Sequence, residues 1–135
     1  GVARWVGGNP LIQLTDRYKS NDHFWITFFH EAGHILLHGK KDVFIEEFEQ
    51  SVNDPQKEKE ADEFAYSFLM PKGIPSDLSD RVTENEIKQI ARNNNTHSAI
   101  VLSYLQRFKK VAYSFGNSLK LKVFLDDVIK KQRSL

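Results

Sequence analysis

The sequence has no cysteine, which excludes disulfides and thiolate metal ligands. That absence fits a cytoplasmic protein. No apolar run approaches the ~20 residues that a membrane-spanning helix needs. Low-complexity stretches and internal repeats are absent as well. What is present, 40% hydrophobic and 27% charged residues over 135 positions, excludes disorder along most of the chain. One domain over residues 1–135 is expected, long enough for a real core. Position 1 is Gly and no signal peptide follows it, so the chain reads as a piece of a longer protein.

The net charge of +1 hides an asymmetry. Residues 1–80 carry eight Lys and Arg against fourteen Asp and Glu, whereas residues 81–135 carry eleven against four. A basic C-terminal part could meet nucleic acid or an acidic partner. The plainer reading is that it pairs with the acidic part of its own fold.

Residues 2–6 and 11–15 favour strands, with Gly7-Gly8-Asn9-Pro10 as the turn between them. Asn21 or Asp22 can cap a helix running to about His38, where Gly39 stops it. Residues 43–48 suit a short strand. Asp54-Pro55 opens a helix through Met70, ended by Pro71. Thr83 to Glu86 has capping-box spacing and starts a helix with Ile87, Ile90 and Ala91 on one face. Thr96 is the expected cap of its partner, which carries Ile100, Val101, Tyr104, Leu105 and Phe108, so the helix pair spans about 84–108. Residues 119–125 alternate like a half-exposed C-terminal strand, and 126–135 read as a charged tail or short helix.

His30-Glu31-Ala32-Gly33-His34 has the H-E-x-x-H pattern. Residues four apart share a helix face, so both imidazoles can grip one zinc ion while Glu31 takes a proton from water at the metal. With His30 at zero, His34 falls at ~40°, Thr27 at ~60°, His38 at ~80° and Glu31 at ~100°. Every other residue in 24–37 is apolar or Gly. The pattern predicts a helix buried nearly all round, its polar side chains gathered in one stripe. Burying such groups unpaired is costly, and a metal ion offsets that cost. A solvent-facing strip would instead carry Lys or Glu at several positions. His38 reads as a helix-end residue near free carbonyls, with a contact to the ligands as the alternative. His23 and His97 read as surface or capping residues.

A catalytic zinc site needs a third protein ligand and one open position. Position 40 is Lys, which excludes a third His six residues after the second. The acidic segment Glu58-Lys59-Glu60-Ala61-Asp62-Glu63-Phe64 offers the alternative. On a helix, Ala61, Phe64, Ala65, Phe68 and Leu69 form the apolar face; Glu58 and Asp62 border it, while Glu60 and Glu63 face solvent. Glu58 is therefore the expected ligand. Asp62 is the expected hydrogen-bond partner of a ligand imidazole. An acidic helix start that complements the dipole explains either carboxylate singly, but not two at the edge of the core.

These residues carry a resemblance. The stretch 24–39, with His-Glu-Ala-Gly-His-Ile-Leu-Leu-His inside it, resembles the ImmA/IrrE family of zinc metallopeptidases. So does 58–65 followed by Phe68-Leu69-Met70-Pro71. The likeness is closest over 1–71 and weaker through the helix pair to 119–120. H-E-x-x-H alone occurs in many metallopeptidases; joined to E-x-x-A-D/N-x-F-A and Leu-Met-Pro it is far more specific. The resemblance implies a zincin-like α+β fold, a small sheet packed on a metal-binding helix, and zinc held by His30, His34 and Glu58. It also implies regulated cleavage of a transcriptional repressor, with a helix-turn-helix domain in the same or a neighbouring chain and a regulator region ahead of residue 1. Asp62 departs from the many members with Asn there, though either side chain accepts a hydrogen bond.

Two other readings compete. Ala91, Asn95 and Val101 have helix-turn-helix spacing, with Arg92, Arg107, Lys109 and Lys110 nearby, as in a DNA-binding module. Such helix pairs are common in proteins that never touch DNA. The second rival is a zinc-bound regulatory or antitoxin-like domain that cuts nothing. An intact Glu31 favours activity, because holding zinc does not require it.

Overall fold

Gly7 and Gly8, both at positive φ (55° and 83°), close a two-residue turn between strands β1 (Val2–Val6) and β2 (Asn9–Gln13). A turn with both central residues in the left-handed region matches the right-handed twist of the paired strands, and glycine adopts it without strain. The four-residue turn expected from the sequence is thus too long: Asn9 and Pro10 join the strand, and β2 ends at Gln13, not residue 15. Pro10 lies opposite Trp5, one step from the turn-closing pair Val6 and Asn9. That is a non-hydrogen-bonded position of the ladder, where a missing N–H costs nothing.

The computed structural model describes residues 1–15, 20–38 and 54–123. The expected strand at 43–48 and the tail at 126–135 lie outside them. Among the described residues the chain is α+β, with the two-stranded sheet and four α-helices. No helix among them is long and apolar enough to cross a membrane.

Helix α1 (Asn21–Gly33) has Ser20, not Asn21 or Asp22, at its N-cap. Asn21 and Asp22 are buried and serve the C-terminal segment. Asn21 exchanges hydrogen bonds with the Leu121 backbone (2.7 and 2.8 Å), and Asp22 pairs with Lys120 at 3.2 Å. Beyond Gly33 the chain widens into a π-helical turn, His34–His38, where uninterrupted α-helix was expected. Nor is this segment buried all round among the described residues. Trp25, Leu36 and Leu37 are exposed.

Helix α2 (Pro55–Leu69) starts as its sequence predicts. Asp54 accepts from the backbone N–H of Gln56 and Lys57, with Pro55 in the first turn. It lies along α1, with Ala61 and Ala65 fully buried. Phe68, expected inside, is exposed and stacks on Phe29 with ring centroids 4.4 Å apart.

Helix α3 (Glu84–Asn94) is capped by Thr83, whose hydroxyl accepts from the Glu86 N–H at 3.2 Å. It ends at Asn95, which takes the left-handed conformation (φ 52°). Helix α4 (Ser98–Arg107) is capped by His97 rather than Thr96: its Nδ1 accepts from the Ala99 N–H at 3.0 Å. Ile87, Ile90, Ala91, Ile100, Val101, Leu102 and Leu105 form the core with Tyr66 and Met70 of the α2 end.

Of the expected C-terminal strand at 119–125 the described residues reach 123, and Leu119 there closes a 3₁₀ turn, Asn117–Leu119. One isolated bridge, Ser20 to Lys122, follows it. Gln106 explains the loop before it. This buried amide donates to the carbonyls of Tyr113 and Phe115 and accepts from Lys120, holding 113–120 against the core instead of in a ladder.

Candidate metal centre

The centre sits in the seam between α1 and α2, and a glycine makes the seam narrow. A Cβ on Gly33 would lie 3.0 Å from Phe64 Cδ1 and 3.3 Å from the Ala61 backbone. At that separation the polar stripe of α1 reaches the first turns of α2. His30 Nε2 lies 2.9 Å from Glu58 Oε2, and His34 Nε2 lies 3.0 Å from Glu58 Oε1. The two Nε2 atoms are 3.1 Å apart.

Asp62 decides the chemistry at His30. Its Oδ1 lies 2.7 Å from His30 Nδ1, and an ionised carboxylate only accepts. The ring proton of neutral His30 is therefore on Nδ1, which leaves a bare lone pair on Nε2. That lone pair faces a carboxylate oxygen and a second imidazole nitrogen, all within hydrogen-bond distance. Acceptors crowded this way repel one another unless a proton or a cation lies between them. A metal held tetrahedrally with bonds of ~2.0–2.1 Å spaces its ligand atoms by roughly 3.3 Å. His30, His34 and Glu58 offer ligand atoms within 4.8 Å of one another, the distances above being near that spacing. The set of two imidazoles and one carboxylate fits a divalent metal.

Around these three side chains the electrostatics follow. Burial alone would lower the pKa of His30, but the Asp62 hydrogen bond and the Asp62, Glu58 and Glu31 charges outweigh it and raise the value. Glu31 is buried, and burial pushes its carboxyl above the usual range against the pull of His30 and His34. A carboxylate readier to take a proton suits a general base. Burial would likewise raise Asp62, yet the His30 hydrogen bond and the Arg107 charge hold it below the carboxylate range.

Arg107 was missed as part of this site. Sequence alone placed it among the basic residues near a helix-turn-helix pattern. In the structure it ends α4, donates to Asp62 Oδ2, and has its guanidinium carbon 6.0 Å from the Tyr66 ring centre. No local signal reveals a pair 45 positions apart. His38 and Glu60 also depart from expectation. His38 Nδ1 lies 3.1 Å from His34 Nδ1, and its Nε2 lies 2.9 Å from Glu60 Oε2. Glu60, read as solvent-facing, is turned to His38, and hydrogen bonds from His38 and Gln56 hold its carboxyl below the usual range. Glu63 is exposed, as its place on the helix predicts. Beside Glu58 and Asp62 a cleft of about 700 Å³ opens between α2 and α4, walled by Tyr66, Met70, Tyr104 and Phe108.

The family model of the IrrE N-terminal-like domain, peptidase M78, matches residues 3–102. The chain belongs to this peptidase family. The matched span begins in the hairpin of this M78 domain and runs into α4, taking in His30, Glu31, His34, Glu58 and Asp62 but stopping short of Arg107. Membership makes the chain a metallopeptidase-type domain, with proteins as its substrate class. Neither a curated protein nor a solved structure matches it.

Proposed function

We propose that this M78 domain is a zinc-dependent peptidase of zincin-like design, with His30, His34 and Glu58 as metal ligands and Glu31 as general base. The convergence of two imidazole nitrogens and one carboxylate at about 3 Å carries this reading. Two nitrogens and one oxygen suit zinc, and three protein ligands leave a position for water. Bound zinc supplies Lewis acidity toward water and the scissile carbonyl.

The remaining work falls to the chain. The Glu31 carboxylate takes the proton of the attacking water and returns it to the leaving amine nitrogen, so it ends as it began. Its burial keeps bulk water from competing for that proton. Asp62 holds the His30 ring so that Nε2 faces Glu58 and His34, where it would hold the metal. The resemblance to ImmA/IrrE proteins supports a transcriptional repressor as the substrate, cut in the cytoplasm beside a helix-turn-helix partner. Direct DNA contact is disfavoured at Arg107, which is engaged by Asp62.

The test is metal analysis of the purified protein with cleavage assays against candidate repressors. Glu31→Gln should keep fold and zinc content while cleavage falls by at least ~10²-fold, since Gln cannot accept the proton. Equal cleavage by wild type and variant would remove Glu31 from this role. A wild type that binds zinc but cuts nothing would favour a non-catalytic regulatory domain.

A further inference from the structure

We propose that Glu60 and His38 form a hydrogen-bond chain that fixes the tautomer and ring orientation of His34, which makes both of them positioning residues for the metal. The inference rests on the reading of His34 as a ligand. Each step follows from the one before, against the competing pull of the Glu58 carboxylate, 3.0 Å from His34 Nε2. A carboxylate only accepts, so the 2.9 Å contact between Glu60 Oε2 and His38 Nε2 puts the proton of neutral His38 on Nε2. His38 Nδ1 then bears a lone pair. It lies 3.1 Å from His34 Nδ1, and a hydrogen bond there needs one proton, which only His34 can supply. The proton of His34 is therefore on Nδ1, and Nε2 is left bare on the side that faces Glu58 and His30. The opposite tautomer would point an N–H into the position where the metal belongs.

Three further observations support the chain. Gln56 Nε2 donates to Glu60 Oε1 at 3.1 Å, which orients the carboxylate so that Oε2 meets His38. The segment His34–His38 is a π-helical turn, a rare geometry that recurs at functional sites. Here it sets the two rings 5.2 Å apart, tilted by 50°, with Nδ1 facing Nδ1. Finally, both ring nitrogens of His38 are engaged, so it is not a fourth ligand competing for the open position. The two ligand imidazoles thus carry the same device in different forms. His30 meets its carboxylate directly and His34 meets one through a second imidazole.

The test uses the full chain, first without metal. Proton–nitrogen correlation spectra of the histidine rings, taken where imidazoles are neutral, should show His34 protonated on Nδ1 and His38 on Nε2. Chelator competition with zinc then compares wild type, Glu60→Ala, Glu60→Gln and His38→Ala. Outer partners of metal-bound histidines typically contribute 10–100-fold in affinity, and a carboxylate acting through one more ring belongs at about 10-fold. Glu60→Ala should lose that factor and leave His34 in mixed tautomers. Glu60→Gln, which keeps an acceptor oxygen, should recover most of it. His38→Ala should lose at least as much, with no further loss on adding Glu60→Ala. The Glu60 side chain is 42% exposed and bears no part of the core, so its variants should melt close to wild type without metal. A wild-type His34 protonated on Nε2 would overturn the proposal. So would a Glu60→Ala variant with unchanged zinc affinity and unchanged His34 tautomer. If the wild type binds no zinc, the peptidase reading fails, and the tautomer spectra alone decide whether the chain exists.

Discussion

The two halves of this domain bury opposite kinds of side chain. Around α3 and α4 the interior is mainly apolar, with the amides of Asn94 and Gln106 as buried exceptions: Ile87, Val101, Leu102 and Leu105 are all 0% exposed, joined by Tyr66 and Met70 of α2. In the seam between α1 and the start of α2 the buried groups of α1 and its π turn are Glu31, Gly33 and His34. Its apolar contribution from α2 is mainly Ala61 and Ala65. The first half can hold itself together by the hydrophobic effect. The second brings acceptors together at about 3 Å, a geometry that only a proton or a cation makes favourable. The contrast separates a folding core from a binding seam, and it says where metal should matter.

The largest effect should follow from breaking the seam. His34→Ala removes one of the three proposed ligands and should abolish tight zinc binding, and with it the rise in melting temperature that zinc should confer on the wild type. Calorimetric titration and melting curves with and without zinc check both. Leu105→Ala strikes the other half and should cost roughly 2–5 kcal/mol of stability, as buried Leu truncations do. It should melt lower with or without metal, and the increment due to zinc should survive. If the zinc increment vanishes in Leu105→Ala as in His34→Ala, the two halves are one cooperative unit and the contrast collapses.

A smaller change tests the narrowness of the seam. An alanine at position 33 would press its Cβ on Phe64 and on the backbone of Ala61, where a rigid helix has little room to give. Overpacking of this kind costs about 1–3 kcal/mol. Alanine is also the better helix former by about 1 kcal/mol, though less at a helix end. The net loss for Gly33→Ala should therefore be small, about 1 kcal/mol, while zinc affinity falls more clearly because Glu58 is carried away with α2. Undiminished zinc affinity in a folded Gly33→Ala variant would mean that the approach of α1 to α2 does not set the ligand geometry.

Legibility in the sequence divided along similar physical lines. Features set by local periodicity could be read: the helices at 55–69 and 84–94 with their caps Asp54 and Thr83, and the hairpin strand at 2–6. The same periodicity singled out His30, His34, Glu58 and Asp62, which the structure brings together. Features set by where one element meets another could not. A helical projection of α2 ranks its residues only against its own apolar face, so Glu60 looked solvated although His38 reaches it. The π turn has no composition signal. Two adjacent glycines shortened the hairpin turn, and of the strand that alternation suggested at 119–125 the described residues, to 123, form one bridge at Lys122.

Arg107 joins the two halves, and it sharpens the comparison at the smallest scale. It extends from the end of α4, beyond the apolar core, to the Asp62 carboxylate that orients His30. Asp62 is held below the ordinary carboxylate range in spite of burial, by its hydrogen bond with His30 and the Arg107 charge. A carboxyl depressed on folding stabilises the protein above its unfolded value, and that contribution is lost as pH falls through the folded value. Arg107→Gln keeps a donor but removes the charge, so the Asp62 value should move upward. The acid limb of the stability curve should then shift to higher pH in the metal-free protein. Asp62 and Arg107 side chains retain 20% and 46% exposure, so solvent screens the pair. At neutral pH the variant should lose no more than ~1 kcal/mol. Melting curves of both proteins, from about pH 7 down to about pH 3, resolve the shift because the ordinary carboxylate values fall inside that window. If the acid limbs superimpose, Arg107 does not hold Asp62 in solution, and the core half contributes nothing to the orientation of the ligands.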